Sequence, residues 1–157
     1  MSADQESFTV SGRIVDVVAG EIFPGRVQVA HGRIDGVRRD NGDGSTGPGG
    51  PLKDRFIMPG FVDAHVHVES SMLTPGQFAR LAVRQGTVAT VSDPHEIANV
   101  LGVPGVEFML RDGAAAPFTF AFGAPSCVPA TPFESSGAHL GPEEVEALLA
   151  RDDILYL

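Results

Sequence analysis

From Phe56 to Leu157, short apolar runs rich in β-branched or aromatic residues alternate with helical patterns, and the strands recur roughly every 30 residues. Strand, helix and strand in this order fold as a parallel βαβ unit with a right-handed crossover. The first strand starts at Phe56 and ends at two histidines, His65 and His67; the others are residues 87–91, 118–122 and 154–157. The first helix has Thr74 as N-cap, Pro75 at its first position, Gln77 completing a capping box and Gly86 as stop. Its expected buried stripe is Phe78, Leu81 and Ala82. Short helical patterns follow over 96–101 and 106–111. A longer one over 142–151 carries Glu143 and Glu144 in its first turn and Val145, Leu148 and Leu149 on its core face.

Four parallel strands are half of an eight-stranded barrel, and a (β/α)8 barrel typically takes about 250 residues. The chain has 157 and ends in mid-strand. The expected fold is therefore α/β: the first half of a (β/α)8 TIM-type barrel over 56–157, behind a small β-rich segment over 1–55. In that segment residues 8–10, 13–18, 26–30 and 33–37 read as short strands, parted by turns at Gly20, Pro24-Gly25 and His31-Gly32. His31 reads as a solvated turn residue. The glycine-rich stretch 40–51 reads as a loop or wide hairpin tip. It is not a phosphate loop, because no Gly-Lys-Ser/Thr follows it.

The histidines give this fold a chemistry. On a strand, positions i and i+2 face the same side, so His65 and His67 can reach one metal ion, with Asp63 on the same face. Imidazole is the commonest metal-ligating side chain and suits a borderline divalent cation. In (β/α)8 enzymes the reacting groups sit at the C-terminal strand ends. That is where His65 and His67, then Asp93 and His95, then Ser126 and Cys127 fall. Asp93 can contact substrate, relay a proton or open the next helix as a cap; His95 can face substrate or a second metal. Glu69 continues the inward face and can orient a ligand or form a loop salt bridge. Cys127 reads as a small apolar filler, His139 as a surface-loop residue, and Ser70 and Ser71 as loop hydrogen-bonders.

Composition removes other classes. A formal net charge of −9 and a pI near 4.8 argue against nucleic-acid and membrane-surface partners. One cysteine cannot form an internal disulfide, which fits a reducing cytoplasm. The N-terminus has no basic and apolar signal pattern, and the apolar runs are too short to span a bilayer.

Pro59-Gly-Phe-Val-Asp-Ala-His-Val-His67 resembles the first barrel strand of the amidohydrolase superfamily. His67-Val-Glu-Ser-Ser-Met-Leu-Thr-Pro75, Ser92-Asp-Pro-His-Glu-Ile-Ala-Asn-Val100 and Ala124-Pro-Ser-Cys-Val-Pro-Ala-Thr-Pro-Phe-Glu134 narrow the resemblance to its adenine deaminase branch. The resemblance implies hydrolytic deamination of adenine to hypoxanthine and ammonia, with His65 and His67 as metal ligands. Asp93 and His95 are then the catalytic candidates, and Glu69 and Ser126 the candidates for substrate contact or ligand support. It implies a divalent, binuclear centre of manganese or iron (zinc also suiting the donors), completed by residues of later strands. It further implies a composite β-domain built from both chain ends, and a cytoplasmic homo-oligomer, a dimer. On this reading the chain is the N-terminal part of the enzyme and, isolated, inactive and poorly soluble.

Two other readings stay open here. One is another cyclic-amidohydrolase-type enzyme, since the His-x-His strand is shared with cyclic-amide hydrolases and amino-sugar deacetylases. The other is a non-catalytic fragment without the later ligands. The small zinc cytidine-deaminase type is excluded, because it needs Pro-Cys-x-x-Cys.

Overall fold

The computed structural model describes residues 7–40 and 55–157, and the chain divides into two compact units, Met1–Pro59 and Gly60–Leu157. The glycine-rich stretch beyond Asp40 and the polar N-terminus lie outside the described residues.

The first unit is a four-stranded sheet of β1 (Phe8–Asp16), β2 (Glu21–Ala30), β3 (Arg33–Arg39) and β4 (Phe56–Ile57), in the order β3-β2-β1-β4. The first three strands are antiparallel and β4 joins β1 in parallel. The two short strands expected over 8–18 are one continuous β1, and the Pro24-Gly25 turn is not a turn but the middle of β2. Gly12 and Gly25 pair across these strands. A Cβ on Gly12 would stand 2.8 Å from the Arg55 carbonyl oxygen, and one on Gly25 2.5 Å from that of Arg38. Here glycine marks close backbone approach within a strand. The His31-Gly32 turn forms as expected, with both φ positive at 55° and 69°, the pattern of a tight two-residue hairpin. Ile14, Phe23 and Val27 are buried on one face, with Val29 and Ile57 packed against them.

The second unit opens with β5 (Phe61–Asp63), α1 (Pro75–Ala82) and β6 (Thr87–Ser92). It continues through α2 (His95–Leu101), α3 (Val103–Ala114), β7 (Thr119–Phe122) and α4 (Pro142–Leu149). Its sheet is parallel, in the order β5-β6-β7. The strand expected from Phe56 to the histidines is thus two strands in two sheets, and the histidines lie past the end of β5 rather than on it. The expected fourth strand is reduced to a parallel bridge between Gly123 and Tyr156, with hydrogen bonds from Leu155 N–H to the Phe122 carbonyl and from Ala124 N–H to the Tyr156 carbonyl, each 2.8 Å.

Thr74 caps α1 by position only; its side chain makes no capping bond, so the capping box with Gln77 does not form. A first-turn donor is satisfied from α3 instead, where Asp112 Oδ2 accepts Gly76 N–H at 2.7 Å. The covered face of α1 carries Pro75 and Ala79, with Phe78 edge-on to Phe118, while Leu81 is 56% exposed. The core is the cluster Val68, Ala98, Val106, Met109, Leu110, Phe122, Leu148 and their neighbours. Of the expected α4 face, Leu148 is fully buried and Val145 half-buried, but Leu149 is exposed. Leu148→Ala is expected to cost about 2–5 kcal/mol, read as a lower urea midpoint for this unit. Among the described residues no helix is long and apolar enough to cross a membrane.

Candidate metal centre

Parallel pairing brings the chemistry-bearing residues together. Asp63 pairs with Thr90 at the C-terminal ends of β5 and β6, and the Val66 N–H to Val91 carbonyl bond (3.1 Å) holds the chains together one step further. Asp63 leaves the histidine face: its Oδ1 accepts the His65 backbone N–H at 3.1 Å and shapes the turn. Val68, with no exposed surface, anchors the following 3-10 turn Val68–Ser71 in the core. His67 is therefore held on both sides.

The two imidazoles meet although they are not on a strand: His65 Nε2 and His67 Nε2 are 3.1 Å apart, and the ring centroids 4.9 Å. His67 Nδ1 lies 3.3 Å from the Asp93 carbonyl oxygen. A carbonyl only accepts, so Nδ1 carries the proton and Nε2 presents its lone pair toward His65. Two nitrogens bound to one cation at about 2.1 Å each stand close to this separation, so the pair fits a metal ion.

Asp93 also orients His95. Its Oδ1 accepts the His95 backbone N–H at 3.1 Å and lies 3.0 Å from His95 Nδ1, so that this nitrogen donates and Nε2 is left free. Asp93 is not the helix cap expected of it: Pro94 holds that position without a side-chain capping bond, and the Asp93 carboxylate instead engages His95. The His67 and His95 rings stand edge-to-face at 4.6 Å. Ligand atoms of His67, His95 and Glu96 all lie within 4.8 Å of one another. Glu96 had no role in the sequence reading, although it stands in Ser92-Asp-Pro-His-Glu96 beside His95.

Glu69 is half-buried. Its Oε1 accepts the Ile97 N–H at 3.4 Å, and its buried Oε2 has no hydrogen-bond partner among the described residues. Burial pushes this carboxyl above its ordinary range, backbone N–H groups of Glu69 and Ile97 oppose the shift, and the Glu96 charge adds to it. It forms no loop salt bridge among the described residues. Ser126 and Cys127 are exposed beyond β7, and no hydrogen bond joins either to the histidines among the described residues. His139 is exposed. Tyr156, unremarked in the sequence, lies close enough to feel this centre: burial, and then the Asp93 charge, raise its phenol above the ordinary value.

A parallel α/β unit thus presents paired imidazoles beyond its C-terminal strand ends, an arrangement able to hold a cation. The amidohydrolase family matches residues 56–155, and the chain belongs to that family, which works with a divalent metal. The chain is 60% identical over 151 residues to the adenine deaminase of Salinibacter ruber, covering 96% of this chain and 26% of that protein. It is 57% identical over 143 residues to the adenine deaminase of a Sulfurovum species (91% and 25%) and 52% over 149 to that of Methanosarcina barkeri (95% and 25%). It thus spans about a quarter of the length of these curated relatives.

Proposed function

We propose that this chain carries the first metal ligands of an enzyme that hydrolyses adenine to hypoxanthine and ammonia. The observation that carries the reading is the His65–His67 nitrogen pair, 3.1 Å apart with His67 oriented by the Asp93 carbonyl, in a chain whose relatives are named adenine deaminase. Residues 56–157 are then the first strands of a (β/α)8 barrel, and 1–55 belong to a small composite β-domain. Manganese or iron in a binuclear centre suits the donors, with zinc as a further fit. The enzyme is a cytoplasmic homodimer.

A bound divalent cation would make a water molecule far more acidic and so supply a hydroxide-strength nucleophile near neutral pH. His65 and His67, whose Nε2 atoms face each other, would hold it. The Asp93 carbonyl fixes the tautomer of His67, while its carboxylate fixes that of His95. The free Nε2 of His95 handles the proton that moves as C6 of the purine becomes tetrahedral and ammonia departs. Glu69 steadies the ligand-bearing turn against α2, and Ser126, exposed past β7, contacts substrate.

The test is an intact mass of the purified protein, then incubation with adenine and Mn2+ or Fe2+. In a protein of mass well above 16.5 kDa, equal amounts of hypoxanthine and ammonia, formed only with metal and lost in His65→Ala, support the reading; the 157-residue chain by itself is expected to be inactive. Adenine left intact while a cyclic amide or an N-acetylated amino sugar is hydrolysed would transfer the chain to another amidohydrolase activity.

A further inference from the structure

We infer that Glu96 belongs to the cation centre: its carboxylate, held by the Ser70 hydroxyl, supplies anionic charge to a divalent cation at His67, beside His95. The inference rests on the metal-dependent reading and adds to it a residue and its support.

Three observations carry it. First, the Glu96 carboxylate is one of three groups, with nitrogens of His67 and His95, whose ligand atoms lie within 4.8 Å of one another. With metal–ligand bonds of about 2.0–2.2 Å, two ligands of one cation stand at most about 4.4 Å apart, so this spacing is close to that of a shared cation.

Second, the carboxylate is engaged from across the site. Ser70 Oγ–H donates to Glu96 Oε1. Ser70 stands three residues after His67, and Glu96 one residue after His95. The next residue pair repeats the link, with Ile97 N–H donating to Glu69 Oε1 at 3.4 Å. Two consecutive residues of the His67 turn thus clasp two consecutive residues of α2. Ligating carboxylates are commonly oriented by a hydrogen bond of this kind.

Third, the charges do not balance among the described residues. Glu69 and Glu96 sit on neighbouring rungs of the clasp, both half-buried, and neither pairs with an arginine. Carboxylates beside imidazoles, with no arginine between them, are an arrangement that a divalent cation stabilises. Neutral nitrogens alone leave its double charge uncompensated.

The experiment is calorimetric titration of the full chain with Mn2+, together with the visible absorption of the Co2+ form, which reports the ligand set. Glu96→Gln keeps size and shape and is expected to weaken Mn2+ binding at least about 10-fold and to change the Co2+ bands. Ser70→Ala is expected to weaken binding by about 10-fold, and Ser70→Thr, which keeps the hydroxyl, to restore it. Metal-free circular dichroism is expected to be the same for all, as a purely structural clasp would not predict. Binding and Co2+ bands unchanged in Glu96→Gln, with binding lost in His67→Ala, overturn the assignment of Glu96 alone. No Mn2+ binding by the unmodified chain overturns both this assignment and the metal-dependent reading. If Glu96→Gln does not fold, equal weakening by Ser70→Ala and Ser70→Thr overturns the support role.

Discussion

His67→Ala is expected to weaken divalent-cation binding by more than about 100-fold, a larger loss than removal of an orienting partner brings. The substitution removes the nitrogen that stands 3.1 Å from His65 Nε2 and empties the space beside the His95 ring at 4.6 Å. It leaves the fold in place, because the turn is anchored by the neighbouring Val68 in the core. Titration with Mn2+ alongside circular dichroism separates the two effects. His139→Ala, at an exposed loop position, is the control and is expected to bind as the unmodified chain does. Equal behaviour of the two variants would remove the histidine pair from the metal centre.

Gly105→Val is expected to produce the largest loss of stability with a functional consequence. Gly105 lies in α3 where α2 crosses it, and a Cβ there would stand 2.9 Å from the Ile97 carbonyl oxygen, 3.0 Å from Ile97 Cγ1 and 3.1 Å from Leu101 Cβ. The obstacle is partly backbone, so the helices must separate. Overpacking of this kind costs about 1–3 kcal/mol. Because Ile97 follows His95 and Glu96 on α2, the displacement reaches the centre as well. A lower urea midpoint together with weaker Mn2+ binding is expected. Unchanged stability would mean that α2 is free to shift at this crossing.

The parts of the second unit governed by local pattern were legible. β-branched residues at 87–91, the phenylalanine run near 120 and the Pro-Glu-Glu start at 142 each specify an element without help from the rest of the chain. Positions governed by long-range contact were not. Leu81 and Leu149 fit a helical stripe but are exposed, because the elements around α1 and α4 cover other residues. Gly25, with Pro24, carries the signal of a turn, yet it lies within β2 because the Arg38 backbone approaches there.

The site divides in the same way. The spacing of His65 and His67 announced their meeting, although the strand ends at Asp63 and the meeting is made by a turn. Glu96 had no spacing signal at all. It enters the centre only because the turn after His67 folds back on α2.

Asp93 holds the two imidazoles by different parts of itself, His67 through the main-chain oxygen and His95 through the side chain. Every residue that could replace it offers the same main-chain oxygen, whereas few offer the carboxylate. Substitution at this one position is therefore able to retune the second imidazole while leaving the first as it is, which gives the centre one fixed and one adjustable imidazole anchored at a single point on the backbone.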